Sequence, residues 1–210
     1  MPIPQGEGEK KLRRGLSALG LPASLAEPLM LYLNELERWN AAYNLTAVRV
    51  RNDMVTRHLL DSLAVLPYVA GRVLDVGSGA GLPGIPLALA NPDLQVTLLD
   101  SNGKKARFMR QAKRVLKLPN VEVVQLRAEN YQPAQTFDRV ISRAFARLPD
   151  FLKVCARLVS LEGTLLAMKG RLDPEEMSEI PTEVKLIETK KLLVPGLDEE
   201  RHLVIAAIKL

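Results

Sequence analysis

The sequence predicts an α/β fold: a mostly parallel sheet with helices on both faces, an antiparallel last strand and a helical cap at the N-terminus. Three observations lead there. Short apolar runs at 72–76, 95–99, 121–126, 137–142 and 162–168 alternate with helix-length segments at 83–90, 104–117 and 148–159, the rhythm of strands joined by crossover helices. The first 70 residues instead carry apolar side chains at helical steps. At the other end, 183–194 and 202–209 are both strand-like with only the turn-rich PGLDEE between them, so they should pair antiparallel at the far end of the sheet.

Composition sets the outer limits. A chain of 210 residues can bury a real core, and the simplest division is a cap over 1–70 and a sheet domain over 71–210 that share it. No apolar run reaches the roughly 20 residues that cross a bilayer. The opening MPIPQGEGEKKLRR has no apolar stretch behind its charges, so no secretory signal is expected. Cys155 is the only cysteine, which excludes an internal disulfide and makes a reducing, cytoplasmic setting the expectation; in its apolar helix it reads as a buried, inert thiol. Two separated histidines and one cysteine form no metal constellation, and none is expected. The 29 Lys and Arg against 24 Asp and Glu leave a charge of +5, which suits an ordinary surface as well as a polyanionic partner. With no apolar stripe left over, a monomer is expected.

The elements follow in order. From Ser24 to Tyr43, Leu25, Leu29, Tyr32, Leu33, Leu36 and Trp39 fall at steps of three and four, one buried helix face. From Asn52 to Val69 the pattern returns with Val55, Leu59, Leu60, Leu63 and Leu66, and Asn52 is placed to cap it. The polar Asn40, Asn44, Arg57, His58 and Asp61 gather at the junction with the sheet. His58 reads either as lining a substrate pocket or as a hydrogen-bonded interface residue. The strand at 72–76 then runs into the glycine loop of VLDVGSGAGLPG.

Three ligands compete for that loop. A Walker phosphate loop needs Lys and then Ser or Thr after its last glycine, but Gly84 is followed by Ile85 and Pro86, and that reading fails. Gly79, Gly81 and Gly84 do satisfy the dinucleotide spacing, and Asp100, ending VTLLD, stands where an acidic residue would hold ribose hydroxyls. The same carboxylate would serve S-adenosylmethionine. Asp75 separates the two: it would repel a pyrophosphate and favour a sulfonium and an α-ammonium. The candidate donor-binding residues are Asp75, Gly77, Ser78, Gly79, Gly81, Leu82, Asp100 and Ser101. An NAD(P)-binding loop, and Asp75 as a plain buried carboxylate, stay open. The order D-V-G-S-G-A-G followed by Asp100 resembles the class I S-adenosylmethionine-dependent methyltransferases, and implies their Rossmann-like sheet.

Two cationic features bear on the acceptor. KKARFMRQAKRVLK, residues 104–117, holds seven basic residues and no acidic one. Phe108, Met109, Ala112, Val115 and Leu116 take one flank of that helix, and Arg107, Arg110, Lys113, Arg114 and Lys117 the other. With Lys104 and Lys105 at its start, and Arg139 and Arg147 nearby in sequence, this reads as a stripe facing nucleic-acid phosphates or as a solvated face. Arg143 follows the strand FDRVIS at its carboxyl edge, where open α/β sheets bind ligands. A guanidinium is a poor base but a good fork for a guanine O6, a phosphate or the donor's carboxylate; a structural salt bridge is the alternative. Many adenine- and cytosine-methylating enzymes carry an Asn- or Asp-Pro-Pro-Tyr box here, where this chain reads ISRAFARL. Guanine N7 needs no base, since its lone pair lies free in the ring plane. Phe145 reads as a core aromatic or as a platform for the target base.

The motifs WNAAYNLTAV, RHLLDSL, LDVGSGAGLPGIPLA, DSNGKKARFM, RAE and DRVISRAFARL, in that order, resemble those of the bacterial ribosomal RNA small subunit methyltransferase G family, also called glucose-inhibited division protein B. The resemblance implies N7 methylation of one guanosine in the 530 loop of 16S ribosomal RNA, with S-adenosylmethionine as cofactor and the small ribosomal subunit as partner. It also implies that Gly77, Leu82, Ala128, Glu129 and Arg143 contact the donor; from its place at the strand's carboxyl edge, Arg143 is also the candidate catalytic residue. A-form RNA hides N7 in a deep, narrow groove, so the target must be unpaired or extruded.

Overall fold

The computed structural model describes residues 6–143, 145 and 147–209; Ala144 and Ala146 of the ISRAFARL motif and the first five residues of the N-terminal segment lie outside them, as does Leu210. Helix α1 (Glu7–Ala18) buries Leu12 and Leu16 against the rest of the cap. It is a separate helix that the apolar spacing beyond Ser24 does not reveal. A 3-10 turn, Ala23–Leu25, leads into α2 (Ala26–Tyr43), whose buried face is Leu29, Tyr32, Leu33 and Leu36, as its periodicity predicts. The next helical run is broken into α3 (Arg51–Met54), a π-helical stretch Val55–Leu60, and α4 (Asp61–Leu63). Asn52 is not its cap: α3 begins at Arg51 behind an extended Val50, with no side-chain cap, and Asn52 sits within the first turn.

The sheet has the order β3-β2-β1-β4-β5-β7-β6. Strands β1 (Arg72–Val76), β2 (Gln95–Leu99), β3 (Val121–Val124), β4 (Phe137–Ser142) and β5 (Val159–Lys169) pair in parallel. Strand β7 (His202–Ile208) slots antiparallel between β5 and β6 (Val184–Lys191), so β7 alone is reversed. Helices α5 (Gly84–Ala90), α6 (Gly103–Val115) and α7 (Leu148–Cys155) make the crossovers, and a short α8 (Pro174–Ser178) precedes β6. The predicted helix at 148–159 stops early because Val159 already pairs with Phe137 as the start of β5. Crossovers leave β1 toward β2 and β4 toward β5, so the strand order switches direction between β1 and β4, and the carboxyl ends of these two neighbours frame a crevice for a ligand.

One apolar cluster joins cap and sheet: Leu29, Leu33 and Leu59 pack with Ile85, Leu98 and Phe108. The opposite face of the sheet closes over Leu74, Val140, Phe151 and Leu165. Cys155 is buried there, its thiol pushed up to about 12, which keeps it protonated and unreactive. Among the described residues no helix is long and apolar enough to cross a membrane, and no group of His, Cys, Asp and Glu could hold a metal ion.

Candidate active site

The strand-to-helix turn after β1 is held from behind by two carboxylates. Asp100, at the end of β2, accepts the Gly79 N–H on Oδ2 at 2.9 Å and the Asn102 N–H on Oδ1 at 2.8 Å. Asp75 accepts the Gly84 N–H on Oδ2 at 2.9 Å, while its Oδ1 is buried with no partner. The turn closes with the Gly77 and Ser78 N–H groups on the Leu99 carbonyl and the Ser78 hydroxyl on the Asp75 carbonyl. Gly77 has φ +69°, and a Cβ there would meet nothing within 4 Å, so the space above it is open. Gly84 is required for the opposite reason: a Cβ would come within 2.3 Å of Leu98 and 2.9 Å of the Asp75 carboxylate, so α5 starts pressed onto β1 and β2.

A cleft of about 290 Å³ opens beside this turn. It is lined by Val76 and Gly77, by Asp100 and Ser101, and by the segment 126–129, with Lys105 and Phe145. Asp75 takes no part in that lining. Fully buried, it reaches a ligand only through the turn it holds, and burial pushes its carboxyl up to about 7. Ser78, Gly79, Gly81 and Leu82 shape the turn without lining the cleft. Ala128 and Glu129 begin a 3-10 turn, where the first N–H groups lack partners within the turn. The guanidinium of Arg157 donates to both their carbonyls, an anchor with no local sequence signal. Leu126 is 44% exposed and offers an apolar wall. Phe145 does two jobs, packing on Phe151 with ring centroids 5.7 Å apart and lining the cleft.

A second cavity, about 360 Å³, lies between cap and sheet and is lined by Arg57, His58, Asp61, Arg143, Lys169 and Arg201 among others. Arg143 donates through Nη1 to the Arg57 carbonyl at 2.8 Å and lies 3.4 Å from Asp61 Oδ2; Arg201 Nε donates to Asp61 Oδ1 at 3.1 Å. The structural salt bridge open to Arg143 as an alternative therefore exists, with a carboxylate of the cap. Burial pushes the Asp61 carboxyl up, and the two arginines oppose that. His58 pairs through Nε2 with Thr46 Oγ1 at 2.9 Å and has a buried, unpartnered Nδ1. Burial first, and the nearby Arg143 charge second, lower His58 to about 4, so it is neutral at pH 7. His58 is thus a hydrogen-bonded interface residue in the wall of this cavity. The Tyr32 hydroxyl donates to the Ala80 carbonyl at 2.7 Å, a cap-to-loop tie that helical spacing could not suggest.

The cations separate into groups. Lys105 belongs to the cleft, its Nζ 3.7 Å from Asp100 Oδ2, rather than to the outer stripe. Arg139 does not join the site: in the amino half of β4, it donates to the Tyr68 and Asp138 carbonyls, away from the strand's carboxyl edge. Arg147, before α7, is exposed and paired with Glu179 at 2.9 Å. Lys104, Arg107, Arg110, Lys113 and Arg114 run along the outer side of α6, whose inner side buries Ala106, Phe108, Met109 and Ala112. Among the described residues no carboxylate pairs with any of those five.

A sheet of this order, with a carboxylate-braced glycine turn at its switch point, is the fold of the class I methyltransferases. Solved structures bear this out. TrmN from Thermus thermophilus superimposes with a TM-score of 0.58 at 18% identity, covering 74% of this chain and 53% of that one. The N-methyltransferase NodS from Bradyrhizobium japonicum, in complex with S-adenosyl-L-homocysteine, gives 0.57 at 14% identity, covering 85% and 99%. Sequence relationship narrows the class. A family model described as rRNA small subunit methyltransferase G matches residues 25–204. Proteins named ribosomal RNA small subunit methyltransferase G from Methylobacillus flagellatus and Stenotrophomonas maltophilia are 52% and 53% identical over 199 and 194 residues. The first alignment covers 93% of this chain and 96% of the relative, the second 92% of each. The chain belongs to the ribosomal RNA small subunit methyltransferase G family.

Proposed function

We propose that the protein transfers a methyl group from S-adenosylmethionine to N7 of a guanosine in the 530 loop of 16S ribosomal RNA. The observation that carries this reading is the family match across residues 25–204, with relatives aligned over nearly their whole length. The cleft fits the cofactor: open space above Gly77, a carboxylate for ribose hydroxyls at Asp100, and the apolar Leu126 beside the Ala128–Glu129 backbone for an adenine ring. Two cations line the cleft, Lys105, which already faces Asp100, and Arg127.

When bound, S-adenosylmethionine supplies a methyl group on a cationic sulfur. The protein's part is then placement, which can lower the barrier by roughly 7–11 kcal/mol. Arg143, at the end of β4, is suited to hold an acceptor purine by O6, since Nη1 alone is engaged by the protein among the described residues. No side chain need take a proton, because the N7 lone pair is free, and this suits a site whose end-of-strand residue is a guanidinium. The exposed cations of α6 offer a phosphate-facing surface.

The test is incubation of the protein with labelled donor and either hypomethylated small subunits or bare 16S RNA, followed by nucleoside analysis. Label in N7-methylguanosine is expected; label on another ring nitrogen, or on protein, overturns the acceptor assignment. Calorimetry with S-adenosylhomocysteine against NAD checks the donor, with heat expected only from the former.

A further inference from the structure

The π-helical stretch Val55–Leu60 has a consequence at Asp61. In an α-helix the Asp61 N–H would bond the Arg57 carbonyl, four residues back. Here it goes to the His58 and Thr56 carbonyls instead, and the Arg57 carbonyl accepts Arg143 Nη1 at 2.8 Å. The Asp61 carboxylate faces the same guanidinium with Oδ2 and holds Arg201 with Oδ1. Its side chain is only 3% exposed, whereas those of Arg143 and Arg201 are 24% and 20% exposed. The anion sits almost wholly buried in the cavity wall, and the two cations are the more exposed. A carboxylate buried this deeply costs stability unless its partners stay in place. Both Arg143 contacts fall on Nη1, so the Nη2 and Nε N–H groups have no protein partner among the described residues.

We propose that Asp61 is a positioning residue: with the Arg57 carbonyl freed by the π-turn, it fixes the Arg143 guanidinium at the end of β4 with its remaining N–H groups free, and it acts on methyl transfer only through that guanidinium. The kinetic half of this rests on the function proposed above; the geometric half does not. Side-chain ¹⁵N NMR of the full chain, with the Arg143 signal assigned by Arg143→Lys, reads the geometry directly. Hindered rotation of the Arg143 guanidinium is expected in the wild type and free rotation in Asp61→Asn. In the same variant, affinity for S-adenosylhomocysteine should stay within about twofold. Turnover on hypomethylated small subunits should fall by about tenfold or more, with KM changed less than about threefold. In an Arg143→Lys background, Asp61→Asn should cost less than about twofold further. The proposal is overturned if Arg143 stays equally restrained without the carboxylate, or if the loss is the same size in both backgrounds. Should Asp61→Asn fail to fold, Arg201→Gln decides: Arg143 must remain restrained, because its own carboxylate is still present, and free rotation there refutes the assignment. If the wild type methylates no RNA at all, the function is wrong, and the NMR comparison still settles the geometry.

Discussion

Asp75 and His58 are buried titratable residues shifted in ways that oppose each other. Asp75 is raised from 3.8 to about 7, so between those values the native state holds a proton that the unfolded chain releases, and its contribution to stability falls as pH rises through that window. His58 is lowered from 6.5 to about 4, so the unfolded chain takes up a proton that the native state refuses, and stability falls as pH drops through that window. Across the shared range the two slopes, each at most about 1.4 kcal/mol per pH unit, largely cancel. Asp75→Asn should therefore leave stability rising with pH from about 4 to 6.5, and His58→Gln should leave it falling. Urea unfolding of the three proteins across that range checks this, and parallel curves would contradict it. Arg143→Ala should lower methyl transfer by about a hundredfold or more while S-adenosylhomocysteine still binds. Near-normal turnover would reduce the arginine to scaffolding. At this scale the sequence is legible where partners are close in the chain. Gly77 and Asp100 follow from a strand running into a glycine turn, and even Lys105, five residues after Asp100, leaves a trace. The grip of Asp61 on Arg201 spans 140 residues and leaves none.

Helix α6 carries the clearest division of labour among the elements. Its inner face is fixed by packing, with Trp39 edge-on to Phe108 at 5.8 Å, so its outer cations can change without disturbing the core. Replacing Arg110 and Arg114 together with alanine should weaken RNA retention and reduce the slope of log affinity against log salt by about one per lost phosphate contact, with donor affinity unchanged. An unaltered salt slope would return the stripe to solvent. Gly84→Ala tests the turn. The added methyl meets Leu98 and Asp75 with no room to retreat, and a loss of about 1–3 kcal/mol in urea unfolding is expected, together with weaker S-adenosylhomocysteine binding. Strands β1, β2 and β4 follow their apolar runs residue for residue, because continuous burial in a central parallel sheet writes itself as continuous hydrophobicity. The π-stretch does not, since one extra residue in a turn shifts hydrogen bonds and hardly alters the spacing of Val55, Leu59 and Leu60.

At the level of the molecule, cap and sheet are bound through one apolar cluster and several polar ties, among them Tyr32 to Ala80, Asp61 to Arg143 and Arg201, and Arg139 to the Tyr68 carbonyl. A single calorimetric unfolding transition is expected, and removing residues 1–70 should leave the remainder unable to fold; two resolved transitions would argue for separable units. Trp39, the sole indole of the chain, stands where α2 meets the helix that follows Asp100, between Tyr43 and Phe108. An intrinsic fluorophore therefore reports on the seam between α2 and α6, and its emission should follow the loosening of cap from sheet in unlabelled protein.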